Sequence, residues 1–320
     1  MPPGGGRCSV SNGWVMRLSL FKKPVDPPGP VFLLGVGAQK AATTWLYRYL
    51  RDHPDCAMGP VKEQSVFQSY YQPDRFRLSE VVKIDRLREH LAASSRAFHK
   101  GEAAADPAEL LSLLDNLAMN YDIDRYWAAF RQLRAARPQA RLLGDITPEY
   151  SGLTAENFAD IRKRMLAEGY VPRVIFLMRD PVERCFSMLR MADRNATEAG
   201  GSVSRPAHER FEAGAKSDWC QMYTRYDRTM AALEAAFAPE EVFYGFYETF
   251  LTLEELGRAC AFLGIDRAHP NFDRRVNWSP REGDLEPGAL QSVRAFYDDT
   301  YAACKQRFGA DFIARIWRYS

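Results

Sequence analysis

Residues Val31 to Pro54 read VFLLGVGAQKAATTWLYRYLRDHP. The apolar run Val31–Val36 has the composition of a buried strand. A loop of small residues follows, carrying a single lysine, Lys40, and it gives way to a helix at Thr43-Thr44. A strand, a tight loop and a helix start bring backbone N–H groups and the positive end of a helix dipole to one point. That arrangement holds phosphate-like anions. Lys40 is placed to meet a group carried by such an anion.

Two common nucleotide patterns fail here. In G-x-x-x-x-G-K-[ST] with Thr43 as the hydroxyl residue, the lysine belongs at 42, the second glycine at 41 and the first at 36. Those positions are Ala42, Ala41 and Val36. The pattern G-x-G-x-x-G starts at Gly35 and Gly37, but its third glycine is Lys40, which conflicts with close helix–strand packing. What remains is G-x-G-x-x-K-x-x-T-T-W, then a helix with Leu46, Tyr49 and Leu50 on one face. A plain strand–loop–helix joint explains the small residues. It does not explain a lysine followed by paired threonines.

A second segment, Pro172 to Met191, reads PRVIFLMRDPVERCFSMLRM. Val174–Met178 is a short buried-strand run, and Arg179 ends it. Asp180-Pro181 opens a helix, with proline in the first turn. Ser187 lies eight residues after Arg179, two turns into that helix. A guanidinium and a hydroxyl at a strand end suit a phosphate dianion. A helix-end ion pair of Arg179 with Asp180 or Glu183 is the competing use.

Together these segments resemble the sulfotransferases that use 3′-phosphoadenosine 5′-phosphosulfate (PAPS), in particular the heparan-type and bacterial carbohydrate enzymes. The resemblance implies an α/β fold, a P-loop NTPase-like parallel sheet flanked by helices in three layers. It makes Gly37, Lys40, Ala41, Ala42, Thr43, Thr44 and Trp45 the 5′-phosphosulfate loop. It makes Arg179 and Ser187 the 3′-phosphate site. The stretch Lys62-Glu63, opening KEQSVF, is similar to the family's K-E-x-x-x-F element, in which the glutamate is the base. Gln64-Ser65-Val66 stands where many members carry a histidine. Gly144 to Tyr150, GDITPEY, resembles the E-x-[ST]-P-x-Y element on the acceptor side. That makes Lys62, Asp145 and Thr147 acceptor-binding candidates, with Asp145 the reserve base. Ile146 stands where many eukaryotic members carry lysine. Tyr247-Glu248 resembles a Y-E-D element, with Thr249 for the acid. Arg281 and Gly283 fit the loop that closes over the 3′-phosphate in the family.

The implied reaction is transfer of a sulfuryl group from PAPS to an acceptor hydroxyl or amine, without a metal, releasing adenosine 3′,5′-bisphosphate (PAP). A carbohydrate is the first acceptor expected; a lipid or small metabolite stays open. Two other readings stay open as well. One is a P-loop nucleotide kinase, which needs magnesium ligands and a GK[ST] core. The other is a non-catalytic nucleotide-binding protein on the same fold.

The rest of the chain sets the frame. It has 320 residues, 46% hydrophobic and 26% charged, ordinary for a globular protein. Forty-three basic and 41 acidic residues leave a net charge of only +2, so nucleic acid is not an expected partner. No apolar run approaches a bilayer span. The first thirty residues read as a disordered lead without a signal-like apolar core, Met16 competes with Met1 as the start, and a cytoplasmic enzyme is expected. Six scattered cysteines show no C-x-x-C, which speaks against zinc and a disulfide framework. Cys185, Cys260 and Cys304 are expected to be buried thiols.

Strands are expected at Val31–Val36, Leu142–Gly144, Arg173–Met178 and Val242–Gly245. Helices are expected at Thr43–Arg51, Pro107–Leu117, Asp124–Ala135, Ala155–Leu166, Val182–Ala192, Met222–Ala236, Leu253–Phe262 and Pro287–Arg307. Residues 31–320 read as a single domain. Ser79–Asp106 and Arg194–Pro206 read as mobile insertions flanking an acceptor cleft.

Overall fold

The computed structural model describes residues 29–59, 61–101, 107–272 and 283–320. The expected N-terminal lead up to residue 28 and the candidate Arg281 lie outside the described residues.

Five parallel strands form one sheet: β1 (Val31–Gly35), β2 (Cys56–Met58), β3 (Leu142–Ile146), β4 (Val171–Met178) and β5 (Val242–Phe246), in the order β2-β3-β1-β4-β5. β1 is central, with Gly35 level with Ile146 of β3 and Ile175 of β4. All five of its residues are buried, so both faces of the sheet are covered, as parallel sheets require. This is the expected three-layer, P-loop NTPase-like α/β architecture.

Fifteen helices are described. They are α1 (Thr43–Arg51), α2 (Phe67–Tyr71), α3 (Pro73–Lys100), α4 (Pro107–Ala118), α5 (Ile123–Ala136), α6 (Ala155–Ala167), α7 (Pro181–Glu198) and α8 (Phe211–Ala215). Then follow α9 (Asp218–Thr224), α10 (Tyr226–Ala236), α11 (Tyr247–Phe250), α12 (Leu253–Leu263), α13 (Pro287–Phe296), α14 (Asp298–Phe308) and α15 (Ala310–Ile316). On one face Phe32 of β1 meets Tyr126, Trp127 and Phe130 of α5, with ring centroids 4.8–6.4 Å apart.

The structure corrects the expected elements in four places. The segment expected to be mobile from Ser79 is helical to Lys100. The second such segment is helical through Glu198. The helix expected over Met222–Ala236 is two helices, broken at Arg225, whose guanidinium ties down Asp227 and Asp299. The helix expected over Pro287–Arg307 breaks at Tyr297, whose hydroxyl donates to the Ala215 carbonyl. Cys185, Cys260 and Cys304 are buried free thiols, as expected.

Among the described residues no helix is long and apolar enough to cross a membrane.

Candidate active site

The loop after β1 runs along β4 before it turns into α1. Val36 N–H donates to the Ile175 carbonyl at 3.0 Å, Leu177 N–H donates to the Gly37 carbonyl at 2.8 Å, and Ala38 N–H donates to the Leu177 carbonyl. This pairing ends two residues before Arg179. Arg179 Nη1 then donates to the Lys40 carbonyl at 3.4 Å. The two segments singled out in the sequence, 139 residues apart, therefore touch.

Backbone geometry makes the loop tight. Lys40 and Ala42 have φ of 70° and 68°, in the left-handed region. Gly37 has φ 120°, and a Cβ there would lie 3.1 Å from the Pro148 carbonyl oxygen. Glycine meets both demands at once. Ala42 is the N-cap of α1 and supplies no side-chain cap. The first-turn amides of Thr43, Thr44 and Trp45 thus lack the usual capping oxygen and point their donors out of the helix start.

Positive charge crowds this point. Burial, then Arg194, Arg179, Arg190 and Arg184, push the Lys40 ammonium down to about 8. Arg184 is a buried structural charge, donating to Thr224 Oγ1 at 2.9 Å and the Cys220 carbonyl at 3.2 Å. Arg190 and Arg194 were not singled out in the sequence. The signal was present: they lie three and seven residues after Ser187, on one face of α7. Arg179 makes the ion pair foreseen as its competing use, with Nη2 3.4 Å from Glu183 Oε2. Its guanidinium also lies 4.4 Å from the centroid of the Tyr247 ring, and its Nε is buried with no partner among the described residues. The ion pair and a place beside Lys40 coexist. Ser187 is almost fully buried in the second turn of α7.

Trp45, expected at a nucleotide contact, is packed among aromatic side chains. Its indole is stacked near-parallel with Tyr49 (5.5 Å) and with Phe272 (5.4 Å), and its Nε1 donates to the Asn271 carbonyl at 3.0 Å. At 7% exposure it braces the start of α1.

The acceptor-side candidates gather around residues 62–66. Lys62 Nζ is bonded to Glu63 Oε1. Glu63 and Ser65 have φ of 59° and 51°. Ser65 N–H donates to Thr147 Oγ1 at 3.3 Å, and Val66 N–H to the Tyr150 hydroxyl at 3.4 Å. A cavity of about 130 Å³ is lined by Glu63, Ser65, Val82, Lys83, Arg86, Glu149 and Trp219. Pro148, whose carbonyl oxygen would lie 3.1 Å from a Cβ at Gly37, directly precedes the cavity-lining Glu149.

Asp145 and Thr147 do not line that cavity. Asp145 is 2% exposed and accepts from Thr147 Oγ1 (2.9 Å) and from the hydroxyls of Tyr126 (3.3 Å) and Tyr150. Burial pushes its carboxyl up to about 6 despite these donors. Its oxygens are occupied by three hydroxyls that hold the loop. Thr147, fully buried, relays the same network to Ser65.

Glu149 is the carboxylate that reading the sequence passed over. Tyr223 donates to its Oε1 at 3.0 Å, and its Oε2 is shielded with no partner among the described residues. Burial, then the Glu63 charge, push it up to about 7. The signal was its position directly after Thr147-Pro148, at the start of a 3-10 turn (Pro148–Gly152). The sign of its effect on stability is fixed. The folded chain holds this proton at pH values where the unfolded chain has lost it, so stability falls as pH rises from about 4.5 to about 7. Glu149→Gln is therefore expected to raise Tm at pH 8 by at least about 2 °C and to leave Tm at pH 4 almost unchanged. Equal shifts at both pH values in thermal melts would refute the assignment.

Among the described residues no group of three or more His, Cys, Asp or Glu side chains is placed to hold a metal ion.

The model of the sulfotransferase family matches residues 30–269. Comparison with curated protein sequences gives no match. Among solved structures, a sulfotransferase from Alicyclobacillus acidocaldarius is similar at 19% identity and TM-score 0.49, covering 87% of this chain and 94% of that one. The sulfotransferase domain of the Synechococcus PCC 7002 olefin synthase is similar at 17% identity and TM-score 0.43, covering 87% and 98%. A sulfotransferase domain from the curacin biosynthetic pathway follows at 14% identity and TM-score 0.41, covering 83% of each chain. The family match spans three quarters of the sequence and includes the Lys40 loop, Glu63 and the Arg179–Ser187 segment, so this chain belongs to the sulfotransferase family.

Proposed function

We propose that this chain transfers a sulfuryl group from PAPS to a hydroxyl or amine of a carbohydrate or small-molecule acceptor and releases PAP. One observation carries the reading: the Arg179 guanidinium reaches the Lys40 carbonyl at 3.4 Å beside the uncapped start of α1, and the charges of Arg179, Arg190 and Arg194 all bear on the Lys40 ammonium. Like charges oppose one another's ionised forms. A polyanion among them relieves that repulsion, and PAPS brings two separated anionic groups.

The roles follow from position. The α1 amides, with Thr43 and Thr44, hold the phosphosulfate end. Lys40 neutralises the charge that grows on the bridging oxygen as its bond to sulfur breaks, the electron pair staying with PAP. Arg179 and Ser187, with Arg190 and Arg194 adding charge, receive the 3′-phosphate. Glu63 takes the proton as the acceptor O–H bond breaks and the new O–S bond forms. Lys62 fixes the Glu63 carboxylate. The cavity beside Glu63 is on the scale of one six-membered ring, since an apolar cavity of about 150 Å³ accepts benzene.

Calorimetry with PAP tests the donor site. Its anionic groups should raise the depressed Lys40 toward its ordinary value, so binding should take up a proton. In buffers of differing ionisation enthalpy, uptake of a fraction of a proton is expected at about pH 8.5 and almost none near pH 6.5. Affinity should fall as pH rises through about 8. Binding of ATP–magnesium in preference to PAP would support the kinase reading instead.

A further inference from the structure

Lys83 is a buried lysine for which the proposed chemistry has no use. It lies on α3, a helix whose other described residues are mostly exposed, and it is 7% exposed itself. Its Nζ donates to the Ser65 carbonyl at 3.2 Å, the Asn116 carbonyl at 3.2 Å and Asn120 Oδ1 at 2.6 Å. An ammonium has three protons, and each finds an acceptor. Asn116, near the end of α4, completes the link. Its Nδ2 donates to the Gln64 carbonyl at 3.0 Å and to Gln64 Oε1 at 2.9 Å.

The loop so gripped contains Glu63. Two of its non-glycine residues, Glu63 and Ser65, are left-handed. Such conformations cost on the order of 1–3 kcal/mol each and persist only where their surroundings impose them. The β3 side supplies Thr147 and Tyr150. The other side is supplied by Lys83 and Asn116.

Resting on the reading of Glu63 as the base, we propose that Lys83 is a positioning residue for sulfuryl transfer. Its ammonium pins the 62–66 loop to the α3–α4 pair and holds Glu63 against the cavity. The α3 and α4 helices are then a built part of the acceptor side.

Charge state gives the clamp a signature. A neutral amine has two protons for three acceptors, so one bond is lost on deprotonation. Burial pushes Lys83 down to about 7, with Asp145 of β3 opposing, Arg86 of α3 adding, and Glu80 of α3 and Glu149 of the 3-10 turn opposing. Glu63 lines the same cavity. The grip should therefore loosen as pH rises through about 7.

Amide hydrogen exchange on the full chain tests this without knowledge of the acceptor. In Lys83→Met, protection at the Ser65 and Val66 amides is expected to fall by about tenfold or more, the effect of losing hydrogen bonds from a charged donor. Protection at Leu33 and Leu34, and PAP affinity by calorimetry, should hold. With any acceptor found, kcat should fall while PAP binding stays. Unchanged protection at Ser65 and Val66 would overturn the proposal. Should Lys83→Met fail to fold, the wild-type chain decides: protection factors at those two amides should drop between about pH 6 and pH 8.5, and a flat profile overturns it. Absence of PAP binding alongside a loosened loop would sink the sulfotransfer reading and leave the clamp standing. Retained PAP binding with an unmoved loop would sink the clamp alone.

Discussion

Lys40→Ala is expected to reduce kcat by about 10²–10³, the loss produced by removing one preorganised donor to developing negative charge. The expected loss is in kcat because the charge on the bridging oxygen grows as its bond to sulfur breaks. PAP affinity should also fall, since one of several cations around the anion is gone. The fold should not suffer. Lys40 is held at about 8 in the folded chain against an ordinary 10.5, so between those pH values the unfolded chain binds the extra proton. Stability attributable to this group therefore rises with pH across that window, and at pH 7 the buried ammonium is a net cost. Removing it should leave Tm at pH 7 equal to or above that of the wild type. A lower rate with an intact or raised Tm separates a catalytic loss from misfolding. Near-normal kcat in a variant shown to bind PAP would remove Lys40 from the mechanism.

The proposed donor half of the site was legible because it is local. Lys40, Thr43 and Thr44 sit within four residues of one another, and Arg179 ends a strand whose apolar run announces it. Chain topology did the rest: β1 and β4 are neighbours, and the β1 loop keeps pairing as far as Leu177, which delivers Lys40 to Arg179. The acceptor half was less legible because it is held by long-range polar contacts. Lys83, Asn116 and Gln64 carry no periodic signal. α3 is mostly exposed, and such a helix gives no apolar stripe to detect. Strand β2 was missed because three residues, Cys56–Met58, are too few for any pattern to show. The hydrogen-bonded state of Asp145 was hidden for a related reason. A carboxylate in a family-like element looks available until three neighbouring hydroxyls are seen to occupy it, and two of those, on Tyr150 and Thr147, lie in the same element.

Glu63→Gln is the substitution that decides how the acceptor's proton leaves. A positioned general base contributes about 10²–10⁴, and glutamine keeps the size of the side chain while losing its basicity. The expected result is a fall in kcat of that order with PAP affinity unchanged, because the calorimetric signal arises at Lys40 and α1. Glu149 is the other carboxylate in the cavity, so it competes for the role. Geometry argues against it: Tyr223 occupies one oxygen, and the other is shielded from solvent. Charge offers a second check. Glu63 is the largest Coulombic influence holding Glu149 up at about 7. In Glu63→Gln that influence is gone, so Glu149 should titrate lower, and ¹³C NMR of its carboxyl would follow the change. If Glu63→Gln retained most of its kcat while Glu149→Gln lost it, the base would be Glu149, and the left-handed loop held by Lys83 would be positioning the wrong carboxylate.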